Sequence, residues 1–513
     1  MRSLNHSSAS GATGVDRVWG RMLRGGAWLF GSRAVERSLG LARIVVLARL
    51  LTPHDFGIIG VALIAMAMVR RLSETGFKQA LIQRPGEIES YLGTAWAVTL
   101  LRNLILAGGM IALAPQIAAF FGTPQARPIL QVLAVAWAIS GLRNIGLVYL
   151  QKELAFRRFS TYHLAMAVTE LAVSITLAVI LRSVWALVLG YLASNLVGLV
   201  LSYFVAPVPH KITVEFRQAR ELFRFGRWVT ATQLALFLIH QLDRAVISKL
   251  LGVATLGLYQ MAYNLSNQTS SELQNVVARS SFPAFAQLQG RREAVKEGYI
   301  KVVQISSLIA VPAATGTVLL ADGLTRHVLG EQWLPIVGTV QILAIMAVLL
   351  ATSRSVSSLL AGLGRPDVST KEVALRAVVL AAVIYPFVQW WGMPGAAIAV
   401  AVSAAASVAL VCFFAFRAIG SNIWELLKAL APAVAGSLAI VAAVIPTGEL
   451  ALEGESLARF LALVVIGAAA YVTGLAIWAA FFRWDPRELL KLKTGDDGLA
   501  GLSSVAVGET GTA

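Results

Sequence analysis

Arg33, Glu36, Arg37, Gly40 and Arg43 fall at spacings of three and four residues inside an apolar stretch, which on a helix makes one stripe. Arg49 closes the same stretch, Arg102 and Arg143 lie in two further apolar stretches, and Arg244, Lys249, Arg279 and Arg354 in others. These ten basic side chains are matched in the same surroundings only by Glu36, Glu170, Asp243 and Glu272. A charge turned toward lipid costs several kcal/mol. The set must therefore face a hydrated cleft, and its positive excess calls for an anionic ligand there. For any single arginine the simpler reading is a structural ion pair that locks two helices. Arg49 and Lys249 are placed to snorkel outward to the interface.

A second polar stripe runs through Gln233, His240, Asp243 and Arg244, and a third through Asn264, Gln268, Ser271, Glu272, Asn275 and Arg279, beside Tyr259 and Tyr263. Amides, hydroxyls and aromatic rings bind sugars, and in a helix bundle they equally serve helix packing. His240 with Asp243 is a candidate titrating pair for proton coupling, against the plainer reading of a structural histidine. The candidate ligand-binding residues are thus Arg33, Glu36, Arg37, Arg102, Arg143, Gln268, Glu272, Asn275 and Arg279. The gate or coupling candidates are Arg43, His240, Asp243 and Arg244.

Other chemistries lack their residues. No GxxxxGK[ST] run is present to cradle phosphates, no HExxH, and no paired Cys/His spacing, so neither cofactor nor metal nor catalytic residue is expected. The single cysteine, Cys412, sits in an apolar run beside Phe413 and Phe414 and reads as packing. The loops expected on the outer side are all short, which leaves an extracytoplasmic active site nowhere to form and weighs against a glycan polymerase or ligase.

The elements that position these side chains must be membrane helices. Of 513 residues, 57% are apolar and 14% charged, and the mean hydropathy is +0.72; a soluble core of this length needs less. Apolar stretches place helices at roughly 23–51, 56–77, 91–114, 128–150, 160–181, 185–206, 222–251, 256–286, 300–321, 334–361, 374–391, 394–416, 424–445 and 458–481, about fourteen spans of the length a bilayer core requires. The first 22 residues are polar and basic and do not read as a secretory leader, so the first helix is expected to be retained.

The net charge of +16 is distributed by loop. One alternate set holds Arg17, Arg21, Arg24, Arg70, Arg71, Arg157, Arg158, Arg291, Arg292, Arg483 and Arg487 among others, whereas the opposite set holds only Arg127, Arg182, Arg326 and Arg459. That asymmetry places both termini in the cytoplasm and accounts for the basic balance by anionic lipid headgroups, without nucleic acid.

The chain also repeats itself. At an offset of 200, Arg24, Gly26, Trp28, Val46, Leu50, Leu51, Gly57 and Ala62 recur as Arg224, Gly226, Trp228, Val246, Leu250, Leu251, Gly257 and Ala262. Six helices precede the return, so the repeats are parallel and related by an axis along the membrane normal. The expected organisation is a cytoplasmic tail at 1–22, a first lobe at 23–206, a linker at 207–221, a second lobe at 222–416, two further helices within 417–481, and a cytoplasmic tail at 482–513. The same offset makes Arg43 and Asp243 equivalent positions of opposite charge, which a two-fold axis would bring face to face as a gate.

The segment Leu47-Ala-Arg-Leu-Leu-Thr-Pro-His-Asp-Phe-Gly57 resembles the first external turn of the polysaccharide-exporter branch of the multidrug/oligosaccharidyl-lipid/polysaccharide flippase superfamily. Glu74 to Gln83, Gln241-Leu-Asp-Arg244, Leu251 to Tyr259, Ser281-Phe-Pro-Ala-Phe285, Gly330-Glu-Gln-Trp333 and Leu363-Gly-Arg-Pro366 follow in that branch's order, so the resemblance covers about residues 20–480. It implies an all-α integral membrane fold of two pseudo-symmetric six-helix lobes like the multidrug and toxic compound extruders, plus two C-terminal helices. It further implies transfer of undecaprenyl-diphosphate-linked oligosaccharide across the bacterial inner membrane, with membrane lipids and the polymerase and chain-length machinery as partners. A peptidoglycan-precursor flippase shares the fold and chemistry, and a polymerase or ligase is the rival from another class. The arginine content makes small cationic drugs poor substrates.

Overall fold

The computed structural model describes residues 9–73, 89–152, 155–206, 236–268, 274, 277, 281–282, 284–450 and 457–482. Every regular element among them is a helix: α1 Ala9–Leu50, α2 Pro53–Ser73, α3 Glu89–Phe120, α4 Ala126–Gly141, a short α5 Leu147–Lys152, α6 Phe156–Leu181 and α7 Trp185–Val205. There follow α8 at 236–251, α9 Val253–Gln268, α10 Arg292–Leu324, α11 Val337–Gly362, α12 Pro366–Ile419, α13 Ile423–Leu450 and α14 Leu457–Phe482. Among the described residues nine helices are long and apolar enough to cross a membrane. Helices satisfy their own backbone hydrogen bonds, which is what hydrocarbon demands of a spanning chain.

Among the described residues the helices overlap the stretches that hydropathy placed, but their bounds differ; α10, for one, begins at Arg292 rather than near 300. The first helix begins at Ala9 rather than near 23. The fourth expected span, 128–150, breaks after Gly141 and resumes as α5. The eleventh begins at Pro366 rather than 374, because a proline in the first turn loses no helical hydrogen bond and its ring already has helical φ. The eleventh and twelfth spans form the single stretch α12, bent where Gly392 takes φ +61 and ψ −136, a conformation essentially confined to glycine that costs other residues about 1–3 kcal/mol.

Contacts divide the chain into two compact units. The first comprises residues up to Leu265 with Ala321–Leu343 and Val373–Ala406; the second comprises Ser266–Leu320, Ala344–Glu372 and the chain from Ser407. The second is built around Phe285, Tyr299, Val356, Leu359, Val411 and Cys412, and the cysteine is free and buried there. Its α13 and α14 pack through small residues: a Cβ at Gly474 would press on Ala439, and one at Gly436 on Tyr471. The Tyr471 hydroxyl donates to the Leu308 carbonyl at 2.8 Å, tying α14 to α10.

In the first unit the start of α2 is set by its own residues. Thr52 and Asp55 form a reciprocal cap, with the Thr52 N–H donating to Asp55 Oδ2 at 3.0 Å and the Asp55 N–H donating to Thr52 Oγ1 at 3.3 Å. The other Asp55 oxygen accepts from the Val184 N–H at 3.1 Å and so fastens the turn between α6 and α7.

The first turns of α2 and α9 then cross at glycines. A Cβ at Gly57 would fall on the Val253 carbonyl, one at Gly257 on the Pro53 carbonyl, and one at Gly60 on the Gln260 amide. Each of these partners is related by the offset of 200 that links the repeats, 53 to 253, 57 to 257 and 60 to 260. The pseudo-two-fold axis therefore passes through this crossing, and only residues without a Cβ let the backbones approach so closely. Val61, one turn beyond Gly57, is fully buried.

In a Cys412→Ser background, a Val61→Cys thiol should react slowly with a hydrophilic maleimide. Adding Gly57→Leu should raise the rate about tenfold or more, since overpacking costs about 1–3 kcal/mol. An unchanged rate would mean that this crossing does not control access.

Candidate functional site

In the first unit α1 lies along α6 in the same direction, and the register can be read from three contacts. The Arg157 guanidinium stands 5.8 Å over the Trp28 ring. Farther along, Ser32 Oγ donates to Ser160 Oγ at 2.8 Å. Farther still, Arg43 forms an ion pair with Glu170, both side chains 25% exposed. Arg33 on the same helix is exposed, and Glu36 and Arg37 are half-buried. The carboxylate for Arg43 is thus Glu170 and not Asp243, because the parallel packing of α1 on α6 places Glu170 within reach first.

Asp243 has partners of its own. It is 1% exposed and accepts from the Tyr259 hydroxyl at 2.7 Å on one oxygen and from the Arg244 N–H at 2.8 Å on the other. The Arg244 guanidinium stacks 4.7 Å over Tyr263, and the charge of Arg376 also acts on Asp243. The face-to-face pair expected from the repeat is therefore replaced by two local arrangements, one in each repeat. His240 is half-buried on α8.

Arg102 on α3 donates to the neighbouring Asn103 Oδ1 at 3.1 Å, and Asn103 Nδ2 reaches Ser140 Oγ on α4 at 3.4 Å. Arg143 occupies the break between α4 and α5. Asn144 builds that break: its N–H donates to Ser202 Oγ at 2.9 Å and its Oδ1 accepts from the Gly146 N–H at 2.8 Å, a side-chain turn that competes with helix. Freed from the helix, half-buried Arg143 donates to Asn195 Oδ1 at 2.8 Å. The Asn195 amide is oriented for this, since its own NH2 donates to the Tyr191 carbonyl at 2.8 Å.

Among the described residues Arg143 is thus steadied by a neutral amide and meets no carboxylate, whereas Arg43 is matched by one. That combination suits an anion-binding role for Arg143 and a structural one for Arg43. Of the second repeat's polar stripe, Gln268 closes α9, and Glu272, Asn275 and Arg279 lie outside the described residues, as does Gln233.

The sequence reading missed two charged side chains on α12. Glu372, in the second unit, accepts from Ser353 Oγ at 2.5 Å and Ser357 Oγ at 2.6 Å; Arg376 is the residue acting on Asp243. Glu372 falls just outside the helix expected over 374–391 and Arg376 in its first turn, so neither stood out as a charge inside a span. The signal was Pro366 as a helix-initiating residue.

The arrangement is that of a helical membrane protein in which α2 and α9 meet across a pseudo-two-fold crossing, with arginines inside its spans. Residues 46–338 match the family described as polysaccharide biosynthesis protein, and the chain belongs to it. Lipopolysaccharide biosynthesis protein WzxC of Escherichia coli (strain K12) is 26% identical over 68% of this chain and 72% of that protein. Succinoglycan biosynthesis transport protein ExoT of Rhizobium meliloti (strain 1021) is 24% identical over 68% of this chain and 71% of its own length. Among solved structures, the lipid II flippase MurJ in an inward closed conformation shares the fold with a TM-score of 0.68 at 14% identity, over 89% of this chain and 99% of that one.

Removing one partner of the Arg43–Glu170 pair should destabilise the protein by about 1–3 kcal/mol, between the values for exposed and fully buried pairs. Thermal unfolding in detergent should show Arg43→Ala and Glu170→Ala each lowering the midpoint, and the double variant losing less than their sum. Strict additivity would show that the pair carries no coupling.

Proposed function

We propose that this protein is a flippase that transfers an undecaprenyl-diphosphate-linked oligosaccharide from the cytoplasmic to the periplasmic leaflet of the inner membrane, for exopolysaccharide or lipopolysaccharide assembly. The observation that carries the reading is Arg143: a half-buried guanidinium held at a helix break by an amide, in a chain of the polysaccharide biosynthesis family. A diphosphate cannot enter hydrocarbon alone, because burying its unpaired charge would cost tens of kcal/mol. Arginines of the first repeat, with Arg33, Arg37 and Arg102 beside Arg143 in this role, hold the head group while the polyprenyl tail stays in lipid. Alternating access exposes them to each leaflet in turn.

The loop charges support an orientation with both termini in the cytoplasm, which makes the α2–α9 crossing the periplasmic end. The polymerase and chain-length machinery are the natural recipients of the transferred glycan. The relatives named for lipopolysaccharide and succinoglycan favour such glycans over the peptidoglycan precursor, since the likeness to MurJ is one of fold.

In liposomes loaded with fluorescent polyprenyl-diphosphate glycan, the protein should move label between leaflets without lengthening the glycan; lengthening would instead indicate a polymerase. Arg102→Gln combined with Arg143→Gln should slow transfer roughly tenfold or more, the size expected for losing hydrogen bonds to a charged group. Unimpaired transfer by that variant would remove the cationic site. Reporter fusions at Arg291 and Gln125 should read cytoplasmic and periplasmic respectively, and the reverse reading would invert the direction of transport.

A further inference from the structure

Arg49 and Lys249 end the leading helices of the two repeats, and neither snorkels away to lipid. Arg49 Nε donates to the Val328 carbonyl at 2.9 Å, and its Nη2 donates to the His327 carbonyl. Lys249 Nζ donates to the Phe120 carbonyl at 2.7 Å and lies 4.7 Å from the centre of the Phe120 ring. Each cation therefore reaches out of its own repeat to the end of a helix in the other. The acceptors are equivalent too: Phe120 ends α3, His327 and Val328 lie in the π-helical turn Thr325–Leu329 that prolongs α10, and Phe120 and Val328 each stand two residues before a glycine of positive φ, Gly122 or Gly330.

These carbonyls belong to last turns, where four acceptors lack a helical partner and the aligned peptide dipoles leave partial negative charge. A lysine or arginine there supplies both a hydrogen bond and a favourable charge. On the Arg49 side the exchange is mutual. Gln332 Nε2 donates to the Ala48 and Leu51 carbonyls at 2.7 and 3.2 Å, and Trp333 Nε1 donates to the Ala48 carbonyl at 3.0 Å. Trp333 is fully buried and meets Phe56 edge-on with ring centres 5.3 Å apart.

We propose that Arg49 and Lys249 are a two-fold-related pair of latches, each a cation of one repeat capping a helix end of the other, that hold the periplasmic end closed around the Gly57–Gly257 crossing. The name of that end, and the idea that it opens, rest on the transport reading above. Both side chains are exposed, so water replaces a lost cap at modest cost. A latch of this kind biases the closed state without locking it, which is what a gate that opens in every cycle needs. The shared design also explains why the repeats keep a cation at this position where Arg43 and Asp243, about two turns away, have diverged.

The test is a distance measurement on the full chain in lipid nanodiscs. Arg127→Cys and Gln389→Cys, both exposed and on opposite repeats, carry nitroxides in a Cys412→Ser background. Electron–electron resonance should give one dominant short distance. In the added presence of Arg49→Gln and Lys249→Gln, the ratio of short to long distances should fall about tenfold, from about three- to fivefold per latch. Arg49→Lys with Lys249→Arg, which preserves both cationic donors, should retain the native distribution. An unaltered distribution in the double glutamine variant would overturn the latches, as would an equal shift in the conservative pair. Glycan transfer measured in liposomes separates the two readings: a shifted distribution in a protein that moves no polyprenyl-diphosphate glycan leaves the latches standing and sinks the substrate. An unshifted one in a protein that does move it sinks the latches alone.

Discussion

In hydrocarbon there is no water to satisfy a carbonyl or solvate a guanidinium, and each unsatisfied backbone group costs several kcal/mol. That constraint accounts for the helical architecture and for how its exceptions are handled. Where α4 breaks, Asn144 and Ser202 take over the backbone groups that the helix has released. Where α1 ends, Gln332 and Trp333 take up its last carbonyls. Where a carboxylate is buried, as at Asp243, a tyrosine hydroxyl and a backbone N–H meet it.

Symmetry supplies the second layer of organisation. Duplication gives a crossing in which each glycine faces the carbonyl of the other repeat's helix start, and the same operation gives Arg49 and Lys249 equivalent tasks. Symmetry is relaxed where ligand and stability make different demands. At Arg43 the first repeat forms an ion pair with Glu170, and at Asp243 the second keeps a carboxylate among Tyr259, Arg244 and Arg376. A shared backbone position does not impose a shared partner, because side-chain reach depends on which neighbouring helix is packed alongside.

The functional reading follows from the difference between compensated and uncompensated charge. An arginine with a carboxylate is largely occupied in holding helices together. An arginine held by an amide is oriented but still able to attract an anion, and that is the role proposed for Arg143. A family that serves polysaccharide biosynthesis and a lipid-embedded cation together make a lipid-linked anionic glycan the cargo best matched to the chemistry.

Sequence alone determined the class of solvent, the helix positions, the basic asymmetry of the loops and the repeat, since all of these are properties of composition and period that survive without knowing a single contact. The offset of 200 marked Gly57 and Gly257 as equivalent positions, but that they cross is read from the structure, and the same offset set Arg43 against Asp243 where Glu170 is the partner. Partner choice was not legible. Arg43 with Glu170, Arg143 with Asn195, and Arg49 with the carbonyls of 327 and 328 join residues far apart in the chain, and a guanidinium's pattern in sequence is the same whether it meets a carboxylate, an amide or a helix end. The break at Gly141 was hidden for the same reason: Asn144 competes with the helix only because Ser202, on a neighbouring helix, is there to accept its N–H. Those pairings depend on the packing of helices against one another, which the period of each helix constrains to a face and only the tertiary structure resolves to a residue.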